Sequence, residues 1–292
     1  MATNQMRREA AKRKLERQQQ RRVQQAKRRQ RTAIIASVSV VVVVVIGLIV
    51  LTNLPSSAPP PAAAPSTAAP STDAPSTATP VTPASIPTAI TALPKRATPL
   101  APTVSCTYKP GGTAAKPVQP PAGTDISTVG TVAMNLQTSA GAIPLTLDRS
   151  LAPCTVNSIV SLAQQGYFTN SPCHRLTTDP GLQVLQCGDP SGTGSGGPGY
   201  TVPDEFYPEM AYGRGILAMA NTGQPDSGGG QFFMIYGDAQ LPKQYTVFGS
   251  ISPEGLQVID TIAKAGHDGS FDAQAGGGKP ITPVIIQTAT LS

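Results

Sequence analysis

The hydrophobic pattern changes character along the chain. Residues 1–32 carry almost no apolar side chains, whereas residues 33–51, AIIASVSVVVVVVIGLIVL, are apolar apart from Ser37, Ser39 and Gly47. That run at the helical rise covers ~28 Å, close to the hydrocarbon thickness of a bilayer. A lone strand in lipid leaves its backbone unpaired, so the Val-rich run reads as helix. Residues 53–104 show no apolar periodicity. From about residue 123, strand and helix periods take over. Val132–Leu136 alternates, and Ala142–Leu147 follows after Ser-Ala-Gly, a hairpin-like spacing. Ala152-Pro153 opens a helical pattern with Val156, Ile159, Val160 and Ala163 on one face and Gly166 as its stop. Strands are expected at 173–177, 182–188, 215–219, 231–235 and 246–250. Pro253-Glu254-Gly255 begins a second helix, with Val258, Ile259, Ile262 and Ala263 inward and Gly266 at its end. Val284–Thr290 supplies a last strand. Many short strands with two helices argue for an antiparallel barrel rather than a parallel sheet.

Charge divides the chain the same way. Residues 1–32 hold 12 Lys/Arg and 2 Glu, a balance of +10, and the other 260 hold 10 Lys/Arg and 14 Asp/Glu, a balance of −4, which together give +6. The basic character therefore belongs to a tail and says nothing about nucleic acid for the rest. The first charge after the span is Asp73. This asymmetry predicts a cytoplasmic N-terminus, one transmembrane helix at 33–52 and an extracytoplasmic remainder, with the tail also suited to anionic lipid. A nucleic-acid or nuclear-localisation tract is the weaker reading of the tail, because the adjoining span already accounts for it. A cleaved signal peptide is the rival reading of the span, but both its basic and apolar regions would be longer than usual.

Between Pro55 and Pro102 lie thirteen prolines among Ala, Ser and Thr. Residues 53–122 therefore read as a disordered, polyproline-rich stalk before a folded domain at 123–292. Its Ser/Thr-with-Pro composition also suits O-glycosylation.

The four cysteines, Cys106, Cys154, Cys173 and Cys187, all follow the span. An even count in an oxidising compartment fits two disulfides, with three connectivities open. A zinc site from Cys154, Cys173, His174 and Cys187 matches no zinc spacing, and no metal or cofactor is expected. His174 reads as a structural residue beside its strand and His267 as a solvated loop residue. No motif places Ser or Cys beside either, so nucleophilic hydrolysis has little support. Gly192–Gly199 lacks the Gly-Lys-Ser/Thr ending of a phosphate loop and reads as turns. Phe232 alternates with Phe233 and should face the interior.

Several segments, in order, resemble the cyclophilins. Ala152–Ala163 with Gly166-Tyr167-Phe168 is similar to their first helix and following turn, His174-Arg175 to their Phe-His-Arg, and Gln186-Cys-Gly-Asp189 to their Gln-Gly-Gly-Asp. Gly192–Tyr200, Asp204-Glu205-Phe206, Leu217–Asn221, Gln231-Phe-Phe233 and Val247-Phe-Gly249 follow. The resemblance covers residues 131–290. With its tail, span, stalk and extra cysteines, the chain looks like the membrane-anchored cyclophilins of mycobacteria and their relatives.

That resemblance implies a mainly β fold, a closed antiparallel eight-stranded barrel capped by two α-helices. It implies cofactor-free cis-trans isomerisation of Xaa-Pro bonds in polypeptides outside the membrane. Arg175 would be the cationic donor and Gln186 its positioner. Phe233 would floor the proline pocket, with Leu241 and Val184 as walls, and Ala220, Asn221 and Gln231 would hold the substrate backbone. Tyr245 falls where the family commonly has His. The turn 177–183 is longer than usual, so the family's Phe falls on Leu182 or Gln183. The chain has no Trp, and Asp238–Leu241 is one residue short. Both departures weaken the case for tight cyclosporin binding more than the case for catalysis. By the same resemblance Cys173 and Cys187 lie on adjoining strands and Cys154 at the start of the first helix, and the expected pairing is Cys154–Cys173 with Cys106–Cys187. A catalytically weak module that grips Pro-containing segments is the alternative function.

Overall fold

The structure, a computed structural model, describes residues 79–292. The basic tail, the transmembrane span and the first part of the stalk lie outside the described residues. Among the described residues no helix is long and apolar enough to cross a membrane.

In chain order the strands are β1 (Thr103–Val104), β2 (Lys109–Pro110), β3 (Ile126–Ser127), β4 (Thr131–Thr138), β5 (Gly141–Asp148), β6 (Ser171–Pro172), β7 (Arg175–Leu176), β8 (Leu182–Cys187), β9 (Tyr200–Thr201), β10 (Ile216–Met219), β11 (Phe232–Ala239), β12 (Val247–Ile251) and β13 (Ile285–Leu291). The helices are α1 (Pro153–Gln164) and α2 (Pro253–Ala265). One sheet of nine strands runs β6-β13-β4-β5-β12-β10-β11-β8-β7, with every neighbour antiparallel.

The two edge strands, β6 and β7, are separated only by Cys173 and His174. A nine-stranded sheet whose edges are joined by so short a link must curl onto itself, as strand twist allows. The mainly β expectation with two helices holds, but the closed eight-stranded barrel does not. At the seam, β6 pairs with β13 and β7 with β8, and the chain rather than a hydrogen-bond ladder carries the sheet from one edge to the other.

Alternation fills the interior. β4 buries Met134 and Leu136, and β5 buries Ile143, Leu145 and Leu147. Phe232 points inward as expected, edge-on to Phe168 with ring centroids 5.7 Å apart. Ser252 caps α2 by accepting from the Gly255 N–H at 3.0 Å, with Pro253 in the first turn and Lys264 in the last. The residue before α1, Ala152, has no capping side chain. Glu205 caps it from a distant loop, accepting from the N–H groups of Cys154 and Thr155 at 2.9 and 2.8 Å.

Residues 79–122, expected to be stalk, are instead laid along the domain. Val81 bridges His267, Arg96 donates to the Leu151 and Glu205 carbonyls, β1 pairs with β3 and β2 with β9. Ile86, Leu93, Tyr108 and Val118 are half-buried against the core. The composition concealed this because such a segment needs no apolar period. Its backbone and a few spaced side chains make the attachments.

The disulfides also differ from expectation. The bonds are Cys106–Cys154 and Cys173–Cys187. Antiparallel pairing of Arg175 with Gln186 brings Cys173 and Cys187 together across the ladder, and the docked N-terminal segment delivers Cys106 to the first turn of α1. His267 is a further correction. It is buried rather than solvated, with Nε2 3.0 Å from Thr178 Oγ1 and Nδ1 accepting from the Gly269 N–H at 3.0 Å.

Candidate active site

Four adjoining strands carry one cross-strand row. Arg175 of β7 lies opposite Gln186 of β8, Gln186 opposite Phe233 of β11, and Phe233 opposite Ala218 of β10. Residues directly opposite one another share a face of the sheet. The next row, Leu176, Leu185, Met234 and Leu217, is completely buried in the core. The period of two thus turns the apolar row inward and leaves a cation, an amide and an aromatic ring side by side on the other face.

The polar groups of that row are linked. Arg175 Nη1 donates to Gln186 Oε1 at 3.0 Å, and Gln186 Nε2 donates to Gln231 Oε1 at 2.9 Å. Gln231 Nε2 in turn donates to the Gly194 and Gly196 carbonyls, each at 3.0 Å. On its other side the guanidinium is held by the loop before β13. Nε donates to the Gly276 carbonyl at 2.9 Å and Nη2 to that of Ala275. Burial lowers the Arg175 pKa from its ordinary value while Tyr245 works in the opposite direction, and a guanidinium stays charged throughout.

Phe233 meets Tyr245 edge-on with centroids 5.5 Å apart. Tyr245 is fixed by Tyr212, whose hydroxyl donates to the Tyr245 carbonyl at 2.8 Å and accepts its N–H at 3.1 Å. The loop 192–199 folds about Asp189. That carboxylate accepts from the N–H groups of Ser191, Gly194 and Gly196 at 2.8, 2.8 and 3.0 Å. Burial pushes its pKa up, but these donors outweigh it and hold the carboxyl below its ordinary value. The loop is therefore a carboxylate-centred turn. It presents to Gln231 the carbonyls that fix its amide.

Residues 133–291, more than half of the chain, match the family described as cyclophilin type peptidyl-prolyl cis-trans isomerase/CLD. The chain belongs to this family. It is 46% identical over 202 residues to the probable peptidyl-prolyl cis-trans isomerase B of Mycobacterium leprae, covering 64% of this chain and 67% of that one. To the Mycobacterium tuberculosis (strain H37Rv) protein of the same description it is 46% identical over 201 residues, covering 64% of each. A Cryptosporidium parvum cyclophilin type peptidyl-prolyl cis-trans isomerase of solved structure is 30% identical, with 56% of this chain and 98% of that chain covered and a TM-score of 0.48.

The other residues that the cyclophilin resemblance singled out divide into two groups. Ala220 and Gln231 adjoin the row, the Ala220 N–H donating to the Gln231 carbonyl at 3.0 Å. Asn221 spends its amide on the loop, donating to the Gln244 carbonyl at 2.6 Å and accepting from the Gly223 N–H at 3.0 Å. Leu182 and Val184 precede Gln186 at a spacing of two, on its face of β8, with Val184 buried and Leu182 half-buried. Gln183 is committed elsewhere, donating to the Ser85 carbonyl at 2.7 Å and accepting from the Asp238 N–H at 3.0 Å. Leu241 is half-buried against the core.

Sequence reasoning missed the Ala275 and Gly276 carbonyls on Arg175. It also missed Tyr212 behind Tyr245. Backbone carbonyls leave no residue-type signal, and a Tyr distant in sequence leaves no spacing.

Proposed function

We propose that this cyclophilin turns over Xaa-Pro bonds by stabilising the twisted amide with Arg175. The barrier to rotation is about 18–20 kcal/mol, because the C–N bond is partly double. At the twisted geometry the prolyl nitrogen regains a lone pair, and a fixed cationic donor favours that state over either planar one. No covalent intermediate is needed. Each ~1.4 kcal/mol of preferential binding gives a tenfold rate. Phe233 floors the proline pocket with Tyr245 at its edge, Val184, Leu182 and Leu241 bound it, and the main chain of Asn221, beside Ala220 and Gln231, holds the flanking backbone.

The observation that carries this reading is the anchoring of Arg175. A guanidinium has five N–H groups; three are engaged by Gln186, Ala275 and Gly276, which leaves two for substrate on a side chain already fixed in place. The charge pattern of the first 52 residues supports placing the domain outside a membrane, anchored by one helix and acting on exported polypeptides as they fold.

The same anchoring favours a second reading. If the loop carbonyls hold the guanidinium too firmly, the site grips Pro-containing segments with little turnover. Protease-coupled isomerisation of an Ala-Pro peptide by the full chain separates the two. Turnover abolished by Arg175→Ala supports the enzyme, whereas peptide binding without turnover supports the module.

A further inference from the structure

Beside the Arg175–Phe233 row runs a groove of about 540 Å³. Gln186, Ala220, Asn221 and Gln231 line it from the barrel side, so it is continuous with the candidate active site. Gly111, Gly112 and Thr113 of the N-terminal segment also line it, and these lie outside the residues matched to the family.

Several attachments hold that segment in place, among them the Tyr108 hydroxyl donating to the Cys154 carbonyl at 2.9 Å and Lys116 Nζ to that of Gly166 at 2.6 Å. The Cys106–Cys154 bond fixes it to α1. The β2–β9 pairing continues through the Gly111 N–H to the Gly199 carbonyl at 2.9 Å and the Ala115 N–H to the Gly197 carbonyl at 2.8 Å. Lys109 Nζ meets Asp226 Oδ2 at 2.9 Å, joining it to the loop before Ser227. Between those anchors, the backbone groups of Gly112, Thr113 and Ala114 have no hydrogen-bond partner among the described residues. The groove lining carries no charged side chain.

We propose that Lys109–Ala115 is a substrate-selecting wall. The stretch of polypeptide flanking the proline lies extended in the groove and pairs with the free backbone groups of Gly112 and Thr113. The lining offers no counter-ion, so uncharged flanking side chains are preferred. Added backbone pairing supplies affinity in such an arrangement, and the lining supplies selection. This rests on the isomerase reading for the place of the proline, but not for the groove itself.

The test uses the full chain and two Ala-Pro peptides, one a tetrapeptide and one extended by several uncharged residues on each side. Turnover and calorimetric affinity are measured for both. A Cβ at Gly197 meets no atom within 4 Å and needs no unusual backbone, so Gly197→Leu starts from open space at a position that lines the groove. Lys109→Glu sets two carboxylates against each other and pushes the wall off the loop before Ser227, while the disulfide and the β2–β9 pairing keep the segment attached. Each variant should lower the long-to-short ratio of kcat/KM about tenfold, equivalent to ~1.4 kcal/mol. Ratios within about twofold of wild type in both variants overturn the proposal. If wild type turns over neither peptide, yet both variants weaken the long peptide's binding about tenfold relative to the short one's, the wall stands and the isomerase reading falls. An extended peptide with lysine or glutamate beside the Ala-Pro core should bind more weakly than its serine counterpart; equal affinity removes the selection claimed.

Discussion

Arg175 and Gln186 face each other across β7 and β8, and Nη1 of the first donates to Oε1 of the second at 3.0 Å. The amide of Gln186 is itself held by Gln231, so the guanidinium is oriented by a chain of side chains reaching the loop around Asp189. Arg175→Ala should lower kcat/KM by about 10²–10³, the scale on which one preorganised donor acts on developing charge. Arg175→Lys should rescue little, because an ammonium cannot keep the Gln186, Ala275 and Gly276 bonds together. Gln186→Ala should cost about tenfold, mainly in kcat, through misorientation. Isomerisation kinetics on one peptide, with circular dichroism to confirm the fold, check all three.

The two disulfides close stretches with sequence separations of 48 and 14 residues. On a chain-entropy account each contributes about 3–4 kcal/mol. Cys106→Ala with Cys154→Ala should lower stability by about that amount and release the N-terminal segment to proteolysis. Non-reducing peptide mapping should recover the pairs Cys106–Cys154 and Cys173–Cys187. Recovery of Cys154–Cys173 instead would contradict the docked segment.

Arg214 and Asp260 form a bidentate pair at 2.7 and 2.8 Å, with side chains only 9% and 19% exposed. Arg214 also donates to the Tyr236 carbonyl. Removing one partner strands a largely buried charge, so Asp260→Ala should cost about 3–5 kcal/mol and lower the melting temperature by roughly 10 °C. Replacing both residues with apolar ones should cost less. Calorimetry distinguishes the two outcomes.

Both histidines in the domain are buried. Burial lowers the pKa of His174, with Asp189 opposing and Arg175 reinforcing the shift, and burial likewise lowers that of His267, against Asp272, Asp179 and Asp268. The folded state therefore binds these protons less readily than the unfolded chain. Stability should be complete above pH 6.5, the ordinary histidine value, and fall as pH drops below it. Each histidine contributes a slope of at most about 1.4 kcal/mol per pH unit. Urea midpoints at pH 7.5 and 5.5, compared with a His267→Gln variant, should show the slope reduced in the variant.

Much of the domain was legible because its elements follow simple periods. The alternation in Val132–Leu136, the 3.6 period of Val156, Ile159 and Ala163, and the Ser252-Pro253 start of α2 are local signals, and the elements fall where those signals place them. Arg175, Gln186, Gln231 and Phe233 were legible through ordered motifs. Residues 79–122 were not. Their composition suits a spacer, and nothing local announces that Arg96 will reach Leu151 or that Lys109 will reach Asp226. The disulfide pairing was likewise hidden, since spacing leaves every connectivity open.

By itself the sequence determined where the longer strands and both helices of residues 123–292 form and which face of them turns inward, since period and capping act over a few residues. It also determined the family through the order of its motifs. Tertiary structure alone decided how the sheet meets itself at Cys173-His174, which cysteines bond, and which backbone carbonyls hold the guanidinium. Those outcomes depend on groups tens of residues apart that only the curled sheet and the docked N-terminal segment bring within bonding distance.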